Sequence, residues 1–171
     1  MTETRSILFS NSLDATRWTF SPFGLNLEGM VSVFDVASYI LQARGAMSAM
    51  KLQKLVYYCQ AWSLVWEDRP IFDEGIEAWA NGPVVPALYD CHRGIFIVSK
   101  IAKGKPTILT ADDRSTIDAV LKYYGDKSAQ WLSDLTHKEY PWVNARKGFA
   151  PGQPSHREIS LADMAEYYGG L

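Results

Sequence analysis

The sequence predicts a mainly α, single compact helical domain arranged around one central helix, about residues 50–66, with at most a small β-hairpin. Three observations carry this. Leu52, Leu55, Val56, Cys59, Trp62 and Trp66 recur at helical spacing, and Tyr57, Ala61, Leu64 and Val65 make the other side nearly as apolar. Ser32, Thr110 and Ser160 each stand three residues before an Asp at the start of a helical pattern, as in a capping box. Strand-like alternation is confined to Ile76–Trp79, with one further short apolar run at Ile95–Val98.

The 171 residues suffice for one domain with a substantial core. Residues 1–29 scatter Leu8, Phe9, Leu13, Trp18, Phe20 and Phe23 among Ser, Thr and Asn without any period. They are expected to form a flexible N-terminal extension, with the domain proper over 30–171. From Ser32 a helix carries Phe34, Ala37, Ile40 and Leu41 on one face and closes at Gly45. Ser48 then opens the central helix, and a helix apolar nearly all round is covered on several faces. Gln53 and Gln60, seven residues apart, with Lys51 and Lys54 beyond the other edge, read as a solvated boundary of its stripe; the alternative is a hydrogen-bonding surface for a partner.

After the turn at Glu67–Pro70, the short strand Ile76–Trp79 is broken by Asn81-Gly82-Pro83. Pro86 suits the first turn of a helix holding Leu88, Tyr89 and Cys91. A loop-like length follows to Ile108. Thr110 opens a helix with Ile117, Val120, Leu121 and Tyr124 that ends at Gly125; Asp126 or Ser128 caps the next, with Trp131, Leu132 and Leu135 inward. Pro141 begins a short helix with Trp142, Val143 and Arg146, and Ser160 caps a last one packing through Met164, Tyr167 and Tyr168. The total is five to six helices.

Composition excludes several functions. A net charge of −2 lacks the basic footprint of a nucleic-acid binder. Lys51 and Lys54 beside Tyr57 and Tyr58 are too few for a phosphate-tracking surface. Cys59 and Cys91 make no disulfide framework, and with no signal peptide the expected location is the cytoplasm. No apolar run approaches the ~20 residues of a membrane helix. Nucleophile-elbow, dinucleotide, phosphate-loop and zinc-protease motifs are all missing. Cys91 and His92 find no second pair at zinc spacing, so no metal and no cofactor is expected. Asp73, Glu74 and Glu77, which cluster before Trp79, and Asp134, one turn before His137, offer more material for acid–base chemistry, though turn-forming or surface acids explain them equally. They leave an enzyme using the acidic loop and His137 as an alternative, though no catalytic residue is assigned.

The words Lys51-Leu-Gln-Lys-Leu-Val-Tyr-Tyr-Cys-Gln60, Pro70-Ile-Phe-Asp73, Ile76-Glu-Ala-Trp79, Gly82-Pro-Val-Val-Pro86, Leu135-Thr-His137 and Pro141-Trp142 occur in this order. Together they resemble the Panacea domain over roughly Phe34 to Tyr168, a family that includes SocA-like antitoxins and phage-associated proteins. Cys59 and Ala61 stand where that family usually has other small residues. The resemblance implies an antitoxin that binds and neutralises a co-encoded toxin, without chemistry of its own. The implied partner is the cognate toxin, with a protease or a second copy of the chain as further ones; the alternative is a proteolytic adaptor delivering another client. Membrane and direct nucleic-acid contacts are not expected. Candidate partner-binding residues are Lys51, Gln53, Lys54, Tyr57, Tyr58, Gln60, Glu77, Trp79, Val84 and Val85. About half of the polar ones are expected to satisfy one another internally, Glu77 with a lysine for example.

Overall fold

A computed structural model describes residues 31–171; the expected extension over residues 1–29 lies outside them. Seven α-helices and a single 3-10 turn dominate: α1 Val33–Arg44, α2 Ala49–Trp66, α3 Pro86–His92, α4 Ala111–Tyr124, α5 Ala129–Thr136, α6 Tyr140–Ala145 and α7 Leu161–Gly169. This exceeds the expected five to six because the proline-led α3 and α6 both form full helical segments. Four short strands, β1 Met47–Ser48, β2 Glu77–Trp79, β3 Gly82–Val84 and β4 Ile97–Val98, make two antiparallel pairs, β1 with β4 and β2 with β3. Thus one more strand pair exists than the single hairpin expected. It forms because the apolar Ile97–Val98 finds the residues that lead into α2.

The predicted caps are present. Ser48 accepts from the Lys51 N–H and Ser128 from the Trp131 N–H. Thr110 and Asp113 exchange both bonds of a capping box, at 2.9 and 3.1 Å. At Ser160 only half of that box forms. The hydroxyl accepts from the Asp163 N–H, while the Asp163 carboxylate takes the Asn144 amide instead and ties α6 to α7.

Helix α2 is the axis of the molecule. It packs against α1, α3, α4, α5 and α7 as well as β1, β3 and β4. Its buried residues run without a break from Leu52 to Ala61, as an all-round apolar helix requires. Tyr58 stacks on Tyr124 of α4 with centroids 4.1 Å apart. Trp66 departs from expectation: at the helix end its ring is 49% exposed, stacked on a half-buried Trp62. Trp131, expected inward, is 41% exposed under the Lys127 ammonium, and Leu132 takes the inward position. Among the described residues no helix is long and apolar enough to cross a membrane.

Candidate partner-binding site

The polar residues of α2 do not form a solvated edge. Gln53, Lys54 and Gln60 are 2%, 1% and 1% exposed. Each is satisfied in its burial by backbone groups, the two glutamines by backbone outside regular strands and Lys54 by a carbonyl of β3. The Gln53 carboxamide accepts from the Val85 N–H (2.9 Å) and donates to the Val85 carbonyl (3.4 Å). Gln60 does the same one heptad later: it accepts from the Ile71 and Phe72 N–H groups and donates to the Phe72 carbonyl at 2.9 Å. The two glutamines thus act as side-chain clamps on the turn before the β2–β3 hairpin and on the joint after it. Lys54 donates to the Pro83 carbonyl at 3.1 Å, holding the hairpin itself.

Tyr57 and Tyr58 belong to a second buried network facing α7. The Tyr58 and Tyr168 hydroxyls both donate to Glu139, at 3.0 and 2.7 Å, and the Tyr57 and Tyr168 hydroxyls lie 3.2 Å apart. Burial pushes the Glu139 carboxyl up, against the two phenol donors that favour its charged form. Burial likewise raises Tyr57, Tyr58 and Cys59 far above their ordinary values, and Tyr124 up to about 12. Cys59 is therefore held as a thiol inside the core.

Glu77 does not pair with a lysine. Its carboxylate accepts from the Trp79 indole at 2.7 Å and lies 2.9 Å from Nδ1 of His156. His137 makes no hydrogen bond to it among the described residues. The imidazole stacks on Trp142 at 4.2 Å, and its buried Nε2 has no partner among the described residues. Burial, then the Lys54 charge, hold His137 below the ordinary histidine range. Among the described residues no group of three or more metal-ligating side chains could hold an ion.

Between the β2–β3 hairpin, the start of α2 and the loop after α3 lies a groove of about 650 Å3. Trp79, Tyr89, Met50 and Val84 give it apolar walls, while Gln53, Lys54 and His92 line its inner side. The Gln53 amide nitrogen is 3.0 Å from Nε2 of His92, whose own basicity is lowered by burial. At the rim Ile95 and Phe96 are 50% and 79% exposed, and the next residue, Ile97, is 53% exposed. Trp79 is positioned from behind: its carbonyl accepts from the Trp142 indole at 3.0 Å, and Arg146 donates to the adjoining Ala78 carbonyl at 2.8 Å.

Of the ten candidate residues, Gln53, Lys54, Trp79 and Val84 meet at this groove. Val85 and Gln60 are buried clamp partners, Tyr57 and Tyr58 face Glu139, Glu77 sits behind Trp79, and Lys51 is half-buried. Sequence reasoning missed Tyr89, His92, Asn81 and Phe96. The visible signal was the apolar run beginning at Ile95, directly after a glycine, which buries only Val98.

A helical domain threaded on one buried helix, with a hairpin fastened to it by side chains, defines the class. The chain belongs to the antitoxin SocA-like, Panacea domain family, which it matches over residues 52–143. That span runs from α2 into α6 and contains both glutamine clamps, Lys54 and the hairpin. Among curated proteins, the chain is similar to Antitoxin SocA of Caulobacter vibrioides (strain NA1000 / CB15N). The two are 31% identical over 124 residues, which is 63% of this chain and 66% of that protein. The match therefore spans slightly less than two thirds of that relative's length. No solved structure matches the chain.

Proposed function

We propose that this protein is the cytoplasmic antitoxin of a toxin–antitoxin pair, which neutralises a co-encoded toxin by binding it and performs no chemistry itself. The observation that carries this reading is the family match across the α2–hairpin–α6 frame, together with the name of the curated relative. An apolar groove rimmed by exposed aromatic and aliphatic residues supports it, since such surfaces supply most of the energy of protein interfaces. Glu77 is engaged by Trp79 and His156 while His137 stacks on Trp142, and no hydrogen bond joins the two among the described residues, which gives the enzyme alternative no support.

The test is co-expression with the adjacent reading frame. Expression of that frame alone should arrest growth, and this chain should restore it. A neighbour that is harmless, or that stays toxic in the presence of this chain, would sink the reading. Rescue lost only in a protease-deficient host would assign neutralisation to delivery of the toxin for degradation.

A further inference from the structure

Building on that antitoxin reading, we propose that the groove beside α2 seats an apolar segment of the toxin bearing a carboxylate, which is drawn to Lys54 while apolar neighbours cover Phe96. The carboxylate is an acidic side chain or the segment's C-terminus.

Charge complementarity is the first argument. Among the groove-lining residues Lys54 is the one Lys or Arg, and neither Asp nor Glu occurs. A buried ammonium ordinarily has an anion beside it, because desolvating a lone charge is costly. Lys54 has none among the described residues: it makes no ion pair, and its one hydrogen bond goes to the neutral Pro83 carbonyl. An ammonium has three donors. The nearest acid of the hairpin, Glu77, is engaged by Trp79 and His156. Burial holds Lys54 down to about 7, so the free protein strains against its charge, and an arriving carboxylate would restore it.

The walls are the second argument. Met50, Trp79 and Tyr89 belong to the residue types enriched in interface cores, and Phe96 at the rim is 79% exposed with Ile95 and Ile97 beside it. A polar ligand would leave these surfaces wet. A purely apolar one would leave Lys54 unpaired.

The proposal is tested by calorimetric titration of the full-length protein with the product of the neighbouring toxic frame. Lys54→Met should lower affinity at least tenfold without lowering the melting temperature. Asn81 lines the groove and is exposed, so it can be changed without touching the core. Asn81→Asp should weaken binding at least fivefold and Asn81→Lys should not, whereas Phe96→Ser should weaken it irrespective of charge. Tight binding by the wild type that survives Lys54→Met and Asn81→Asp overturns the proposal while the antitoxin reading stands. Equal losses for Asn81→Asp and Asn81→Lys overturn the carboxylate. A wild type that neither binds nor rescues removes the antitoxin reading, and the occupant with it.

Discussion

Lys54 is a buried charge with no ion-pair partner among the described residues, and its placement has an energetic consequence. In the unfolded chain its ammonium titrates near 10.4; folding lowers it to about 7 by burial. Between these values the unfolded chain holds a proton that the folded protein has released, so stability rises with pH across this window. Below about 7 both states are charged and the folded protein bears the full cost. Lys54→Met removes the charge at similar volume and should stabilise the protein at pH 6 by about 1–4 kcal/mol, as replacing buried charges by apolar groups often does. The gain should shrink towards pH 10. Urea unfolding of both proteins at pH 6, 7.5 and 9 measures it as a difference, in which the raised tyrosines and the lowered His137 largely cancel. An undiminished difference at pH 9 would show that Lys54 is charged throughout. Glu139 behaves differently, because it already has two donors. Tyr58→Phe takes one away and should cost about 1–3 kcal/mol, read as a lower urea midpoint at unchanged slope.

Elements reveal which parts of this architecture a sequence can show. Helix starts were legible because a capping residue acts within three positions of itself, and Thr110 with Asp113 behaves as written. Thr110→Ala should therefore cost about 0.5–2 kcal/mol in thermal unfolding. The central helix was legible because its apolar positions outnumber those of a surface helix. What stayed hidden were contacts whose partners are remote in sequence. Gln53 and Gln60 looked like a wet edge, since nothing local reveals that Val85 and Phe72 need their amides. The groove was half legible: Trp79 and Val84 lie in family words, whereas Tyr89 joins it from α3 and Phe96 through the turn after that helix. The hairpin turn couples both levels. Gly82 has φ +105°, and a methyl on it would sit 2.5 Å from Lys54 Cε and 3.0 Å from the Thr136 hydroxyl. Gly82→Ala thus combines a left-handed penalty with displacement of the lysine. It should destabilise by more than about 1 kcal/mol and disturb toxin binding as well.

For the whole molecule the question is where cooperative folding is specified. The buried hydrophobic cluster runs from Val33 at the start of α1 to Tyr168 in α7, and α2 touches nearly every other element. Buried polar ties between remote parts of the chain close within the same span: Ser38 to the Ile101 carbonyl, Tyr58 to Glu139, Tyr168 to Tyr57, and Arg146 to the Ala78 carbonyl. A continuous core threaded by one helix should fold as one two-state unit. We therefore propose that residues 30–171 are the folding domain and that residues 1–29 are dispensable for it. A protein beginning at Met30 should unfold in a single transition within a few degrees of the full chain and retain the near-ultraviolet dichroism of the packed tyrosines. It should also rescue growth beside the toxic neighbour. Loss of the cooperative transition would place part of the core's covering in residues 1–29. Retained folding with lost rescue would instead assign those residues to the partner, and would require the interface to extend beyond the groove beside α2.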